Sequence, residues 1–283
     1  MPIFDWHKQK GGLSAVRLKK GGVCLVTGAS SGIGRAIAET LAGLGMRVYG
    51  TSRRPAVADS GAVAMLRLDL RDAASIDSAV AEVIRREGRI DLLVNNAGAG
   101  IGGAVEDTEE SELAGQMEAG FFGHVRVTRA CLPHMRRTGG GRILFTGSVA
   151  AGIPIPYQAM YSAAKAALRA FASALAGEVA QFDIDVAVIE PGDTRTGFTD
   201  RRTKTAPAGS PYAERFAHSI AVMEKDERSG DSPEKIARVV VRAALSRRPK
   251  PRITVGFKYK LFDLLRRMLP ERLTQKIIAA LYG

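Results

Sequence analysis

The chain has 283 residues, 46% of them hydrophobic and 25% charged, and 41 basic against 29 acidic side chains give it a net charge of +12. That length can bury a substantial core, in one large α/β domain or two small ones. Two cysteines in apolar surroundings (Cys24 and Cys131), four histidines without ligand spacing, and no apolar run long enough for a bilayer exclude a disulfide framework, a metal site and a membrane span. The first apolar run follows Lys20 and ends at a glycine loop, so no secretory signal is expected and the chain reads as intracellular, with reduced cysteines.

The charge sits at the ends: residues 1–20 carry +4 and residues 247–283 carry +8, which leaves the body about neutral. A basic fringe on a neutral body suits an anionic surface, membrane or nucleic acid, and equally a soluble protein with solvated tails.

Residues 1–20 are polar with weak periodicity and read as an irregular basic arm. Gly22–Thr27 is a short β-rich apolar run, hence a buried strand. It leads into Thr27-Gly-Ala-Ser-Ser-Gly-Ile-Gly34 and then a helical pattern over Arg35–Leu44. A glycine turn between buried strand and helix lets backbone approach a pyrophosphate, and the helix N-terminus offers unpaired N–H groups. Met46–Ser52 is a second strand, ending in Ser52-Arg53-Arg54 where an acidic residue would select NAD by binding the ribose hydroxyls. Arginine there suits the 2′-phosphate of NADP, although arginines near a loop are also common surface residues.

Val63–Leu68 is a third strand, ending at Asp69-Leu70. Asp69 either accepts from an adenine amino group or caps the next helix, residues 73–87. Ile90–Val94 is a fourth strand, followed by Asn95-Asn96-Ala97-Gly98, whose small residues leave room for a ligand above the strand ends. A long helix over Ser111–Arg137 precedes the strand Arg142–Thr146 and then Ser148. The helix that runs to Ala180 carries Tyr161 and Lys165 four residues apart, on one face. A positive charge beside a phenol favours the phenolate and eases proton release. Strand Ile184–Ile189 leads to Pro191-Gly192-Asp193-Thr194-Arg195-Thr196. Residues 193–232 break the rhythm and occupy the place where α/β proteins put a ligand cover. A helix over 233–246 and a strand over Arg252–Gly256 close the series.

Strands alternating with helices predict a Rossmann-type α/β fold, a doubly wound parallel sheet over 21–256 without an internal boundary. The tail, 257–283, is an amphipathic helical extension. Leu261, Phe262, Leu264, Leu265, Met268 and Leu269 share a broad face, and Asp263, Arg266 and Arg267 the other; a second helix after Pro270 aligns Leu273, Ile277, Ile278 and Leu281. Such a tail can lie on an anionic membrane, pack on the domain, close the pocket or join two subunits.

Six pieces in order carry a resemblance: Thr27-Gly-x-x-x-Gly-x-Gly34, Asp69, Asn95-Asn-Ala-Gly98, Ser148, Tyr161-x-x-x-Lys165, and Pro191-Gly192 with Thr196. From about Gly21 to Gly256 the chain resembles the short-chain dehydrogenase/reductase family of single-domain type. The resemblance implies that Gly28, Ser30, Gly32, Ile33 and Gly34 line the pyrophosphate, that Arg53 holds the 2′-phosphate, and that Asp69 and Leu70 face adenine. It places Asn95, Ala97 and Gly98 beside the adenosine ribose, and Pro191, Gly192 and Thr196 over the nicotinamide. Tyr161 would be the general acid and base, Lys165 would bind the nicotinamide ribose, and Ser148 would hold the substrate oxygen. Arg252-Ile-Thr-Val-Gly256 and the tail resemble members near the 17β-hydroxysteroid dehydrogenases and acyl-dihydroxyacetone-phosphate reductases, which act on large apolar substrates. Ile153 and Tyr157, in an apolar stretch before Tyr161, would then offer an apolar wall.

Members usually carry an asparagine on the helix before the serine strand, holding a water that links the lysine to solvent. That position aligns with Gly120, which has no side chain to hold it; His124 lies one turn on. Ala164 stands where serine is frequent. The reading is therefore an NADP(H)-dependent oxidoreductase that interconverts a ketone and a secondary alcohol on a steroid-, lipid- or polyketide-like substrate. It is expected in the cytoplasm, as a homo-oligomer, with peripheral membrane contact through the tail, and with neither metal nor nucleic acid as partner. The alternative is an NADP(H)-binding regulator or scaffold that turns over weakly because of Gly120.

Overall fold

The computed structural model describes residues 18–54 and 61–282, so most of the expected basic arm lies outside the described residues. In chain order the elements are β1 (Val23–Val26), α1 (Gly32–Gly43), β2 (Arg47–Ser52), β3 (Val63–Arg67), α2 (Ala73–Glu87), β4 (Leu92–Asn95) and β5 (Ile101–Gly103). Then come α3 (Glu110–Met117), a single π-helical turn at Glu118–Phe122, α4 (Gly123–Arg137), β6 (Gly141–Thr146), α5 (Ala159–Val179) and β7 (Ile184–Glu190). The chain ends with β8 (Thr203–Thr205), α6 (Ala213–Ser229), α7 (Pro233–Leu245), β9 (Arg252–Thr254), α8 (Phe257–Met268) and α9 (Glu271–Tyr282).

The strands β1, β4, β6 and β7 are buried almost throughout and mostly apolar because helices cover both sides of the sheet. Seven strands pair in parallel in the order β3-β2-β1-β4-β6-β7-β9, a Rossmann-like doubly wound sheet whose order reverses between β1 and β4. One buried cluster packs α1 and α7 on the sheet through Ile37, Leu41, Ile236 and Val240. A second packs α2, α4 and α5 on the opposite face through Val80, Val83, Val127, Met135 and Leu168. The Arg142 side chain, only 2% exposed, pairs with Asp185 at 2.6 Å and donates to carbonyls at the end of α7, Ala243 at 3.0 Å and the capping residue Ser246 at 2.7 Å. A cation at a helix C-terminus satisfies both the orphan carbonyls and the helix dipole.

Three details differ from the sequence expectation. The long helix expected at Ser111–Arg137 is broken by the π turn at Glu118–Phe122, which contains Gly120. The 193–232 segment, read from the sequence as charged with a weak helix, holds a 17-residue helix, α6, and an unforeseen strand, β8, that pairs with β5 in a second small parallel sheet. Asp72, not Asp69, caps α2 by accepting from the Ser75 N–H at 3.1 Å. Among the described residues no helix is long and apolar enough to cross a membrane.

Candidate active site

The carboxyl ends of β1, β4, β6 and β7 bring the candidate residues to one edge of the sheet. Thr27 joins the first two: its hydroxyl accepts the N–H groups of Asn96 at 2.9 Å and Ala97 at 3.0 Å, and its carbonyl accepts from the Asn96 amide at 3.0 Å. Asn95 is buried and donates to Thr128 on α4 at 3.0 Å. The asparagines thus tie neighbouring elements together under the space they border.

The glycines are required by close approach. Gly28 has φ +70°, and a Cβ there would lie 2.8 Å from the Ala97 Cα. A Cβ on Gly34 would lie 2.3 Å from the Gly28 carbonyl oxygen. The α1 N-terminus is preceded by Ser31 in extended conformation, with no side-chain cap. Its first N–H groups therefore remain available to an anion at the turn. Ser30 is exposed there, Ile33 packs into the core beneath, and Gly98 has open space where a side chain would be. This cradle fits a dinucleotide pyrophosphate. Arg53 is exposed at the end of β2. Asp69 accepts from the Arg71 N–H at 3.0 Å, and the Leu70 side chain is buried in the core cluster that includes α2 and α4.

Ser148, Tyr161 and Lys165 come together. Ser148 is extended just after β6 and accepts from the Ala150 N–H at 3.1 Å. Burial pushes the Tyr161 phenol above its ordinary value, with the neighbouring Ser148 hydroxyl opposing; Glu227 adds to the rise and Arg202 reduces it. Lys165 is buried and donates to the Thr146 carbonyl at 2.9 Å, its nitrogen 5.8 Å from the Tyr161 ring centre. Burial lowers it to about 8. The sequence expectation is an ammonium on Lys165 that eases the Tyr161 proton; the balance around the phenol is set by other groups. Burial raises the Tyr161 phenol and lowers the Lys165 ammonium, and the lowering influences on Tyr161 come from Ser148 and then Arg202.

Phe198, Arg202 and Glu227 are not singled out by the sequence, whereas His124 and Gly120 are. The Phe198 ring packs on Gly100 and lies 5.9 Å from the Tyr161 ring. Buried Arg202 pairs with Glu227, which also accepts from Thr199 at 2.6 Å. His124 is wholly buried; burial first, and then the charge of Lys165, hold it down at about 3, so the imidazole is neutral. Gly120 is crowded, since a Cβ there would lie 2.9 Å from both the Ala164 Cβ and the Gln116 amide nitrogen. A side chain on Gly120 would therefore press on the helix that carries Tyr161.

The segment after β7 lies across the glycine loop. A Cβ on Gly32 would touch Thr196 at 3.4 Å, and Arg201 reaches Ser31 at 3.3 Å. Pro191 accepts from the Val149 N–H at 3.0 Å, linking this segment to the turn that carries Ser148. Tyr259 of α8 stacks against Gly192, donates to the Asp193 carboxylate and accepts the Asp193 N–H at 3.1 Å. Tyr157, left-handed at φ +63°, sets its ring 5.7 Å from Phe216 of α6, in an apolar cluster with Ile155, Ile220, Met223 and Tyr282. Ile153 is half-buried and lies outside that cluster.

The family model for short chain dehydrogenases matches residues 22–207. A 3-ketodihydrosphingosine reductase of Bacteroides thetaiotaomicron is 40% identical over 92% of this chain and 98% of its own. The human 17-beta-hydroxysteroid dehydrogenase type 1 is 32% identical over 92% of this chain and 84% of its own. Among solved structures, a short-chain dehydrogenase from Streptomyces avermitilis superposes with a TM-score of 0.78 at 35% identity, covering 89% of this chain and 96% of that one. A 3-ketoacyl-(acyl-carrier-protein) reductase from Brucella melitensis, complexed with NADH, superposes at 0.70 with 26% identity, covering 83% of this chain and 97% of that one.

Proposed function

The chain belongs to the short-chain dehydrogenase/reductase family of oxidoreductases, and on that premise we propose that it interconverts an apolar ketone and its secondary alcohol with NADP(H). The observation that carries the proposal is the gathering of Ser148, Tyr161 and Lys165 at the carboxyl edge of the sheet, with Lys165 buried, donating to the Thr146 carbonyl and lying 5.8 Å from the Tyr161 ring centre. The bound nicotinamide would supply or accept a hydride. Gly28, Ser30, Gly32, Ile33 and Gly34 would cradle the pyrophosphate, and Arg53 the 2′-phosphate. Asp69, Leu70, Asn95, Ala97 and Gly98 would border the adenosine. Pro191, Gly192 and Thr196 would cover the nicotinamide.

In reduction, Ser148 would hold the carbonyl oxygen and stabilise its developing charge. Tyr161 would release its hydroxyl proton to that oxygen. A phenol raised by burial is a reluctant acid, so the Ser148 hydroxyl and the adjacent lysine offset the cost of the phenolate. Neutral His124 adds no charge beside Lys165, so the positive groups near the phenol are Lys165 and Arg202. The apolar wall of Tyr157 and Ile155 against α6, with Ile153 nearby, suits a hydrocarbon substrate. The ketone of a long-chain lipid is favoured, because the 40% identical relative is named for one and the likeness spans nearly all of both chains. Residues 21–256 would form the catalytic unit with 193–232 as its cover, acting in the cytoplasm beside a membrane as a homo-oligomer.

The test is NADPH oxidation with 3-ketodihydrosphingosine and other apolar ketones, run with wild type and Tyr161→Phe. Loss of a general acid is expected to cost about 10²–10⁴ in turnover while NADPH still binds. Equal turnover by both proteins would refute the role of Tyr161. A regulator with weak turnover is the second reading, and Gly120 is the observation behind it. NADPH binding without reduction of any ketone in the panel would favour that reading.

A further inference from the structure

We propose that α8 and α9 form a basic, amphipathic surface that docks the protein on an anionic phospholipid bilayer. Helix α8 sits on the molecule with its polarity reversed. Its inward face is polar: Tyr259 bonds Asp193, Asp263 pairs with Arg252 at 2.7 Å, and Arg266 pairs with Asp263 at 3.5 Å. The stripe turned to solvent is apolar. Phe257 is 81% exposed, Met268 74% and Leu264 55%, with Leu261 and Leu265 between them. These residues recur at the spacing of one helical face. The helix cannot roll to bury them without breaking the bonds to Asp193 and Arg252.

Helix α9 extends the surface. Thr274 and Ile278 are buried against the body, while Leu273 and Leu281 are exposed. Exposed Lys258 and Lys260 accompany the stripe on α8, and exposed Arg272 and Lys276 stand on α9. The occupant must therefore take apolar groups and carry negative charge. A second copy fits poorly, because a symmetric contact would bring together two segments (residues 247–283) of +8 each. An anionic bilayer satisfies both demands, with the helices lying in the interface plane rather than crossing it. The inference rests on the exposed face alone and adds to the enzymatic reading a place where an apolar substrate is met.

The experiment is co-sedimentation of the full chain with vesicles of phosphatidylcholine, pure or mixed about 2:1 with phosphatidylglycerol to give a negative surface. Wild type is expected to partition onto the mixed vesicles and not the neutral ones. Raising salt from about 0.1 M to about 0.5 M should release it, since the Debye length shrinks. The double variant Leu264→Glu/Met268→Glu should bind at least about tenfold less, having lost buried apolar surface. Lys258→Ala/Lys260→Ala should lose about fivefold per charge. Unchanged thermal unfolding and NADPH affinity show that the variants are folded. Because the readout is partition, it stands apart from turnover: a protein inactive on every ketone can still bind vesicles. Wild type that ignores anionic vesicles, or binds neutral ones equally, would overturn the proposal. So would a dimer that Leu264→Glu/Met268→Glu splits into monomers without any vesicle binding, since the occupant would then be a second copy.

Discussion

Gly192→Ala tests how the tail is joined to the candidate site. The φ angle of Gly192 lies outside the left-handed region, so alanine brings no backbone strain, only a methyl group. That carbon would sit 2.0 Å from Cε2 of Tyr259 and 2.3 Å from both Cδ2 and Cζ. Non-bonded carbons prefer about 3.5–4.0 Å. The ring cannot slide, because its hydroxyl is bonded to both the carboxylate and the N–H of Asp193. The turn cannot retreat either: the Asp193 carbonyl accepts from Asp231 at 2.9 Å, and Arg195 donates back to Asp231 at 2.9 Å. Overpacking costs about 1–3 kcal/mol, and expelling the ring forfeits a charged hydrogen bond worth about 1.5–3 kcal/mol. The cheaper of the two routes sets the cost, so Gly192→Ala should destabilise by about 2–3 kcal/mol. Tyr259→Ala alone should cost about 2–3 kcal/mol, less than a fully buried aromatic. With the ring gone the added methyl has space, so the double variant should match Tyr259→Ala, a coupling of about 2 kcal/mol or more. Urea midpoints of the four proteins at unchanged slope measure this. Costs that add to within about 0.5 kcal/mol would show that Tyr259 and Gly192 are not in contact, and the reasoning would fail.

Burial holds Lys165 at about 8, below its ordinary 10.5, so between those values the unfolded chain binds a proton that the fold does not. Its contribution is full above the unfolded value and is lost as pH falls toward the folded one, about 3 kcal/mol at most. Wild type should thus gain stability relative to Lys165→Met between about pH 8 and 10.5; parallel urea midpoints across that range would contradict the burial. Gly120→Asn should crowd Ala164 and Gln116 and lower stability by about 1–3 kcal/mol. Adding Ala164→Gly should recover part of that, and an unchanged melting temperature in the single variant would refute the crowding. Arg53→Ala should raise the KM for NADPH about 10–100-fold, the worth of a charged hydrogen bond, and leave NADH unchanged. An equal effect on both cofactors would deny Arg53 the 2′-phosphate.

The strands of the main sheet were legible to within two residues at each end because a strand buried on both faces is a short apolar run between turns. Helix α2 was legible in full, as its apolar period and its ends agree. The strands β5 and β8 were not. Each has three residues, one is Ile-Gly-Gly, and they lie some hundred residues apart, so only tertiary pairing defines them. At the candidate site the serine, tyrosine and lysine were visible as a motif. Phe198 and Arg202 with Glu227 were not, because their meaning comes from how the segment after β7 folds back over Tyr161; His124 stands out one turn from Gly120, but its complete burial beside Lys165 was not legible. Asp69 and Asp72 show the same limit at short range. Both precede α2, and the choice of cap depends on which carboxylate the turn aims at the Ser75 N–H.

Helix α8 shows why periodicity alone does not say where a face goes. The stripe of Leu261, Leu264, Leu265 and Met268 is plain in the sequence, and burying apolar area is the ordinary use of such a stripe. Here the opposing face holds Tyr259, Asp263 and Arg266, and the body offers that face two specific partners, Asp193 and Arg252. Directional bonds to fixed groups outweigh burial when the body has no complementary apolar groove to offer. The apolar stripe then faces outward with lysines on its own helix, and an outward apolar stripe is stable in the long run only if something covers it. The same helix presses Tyr259 onto Gly192, in the segment proposed to close over the nicotinamide. Tyr259 thus joins this outward-facing helix to the turn after β7.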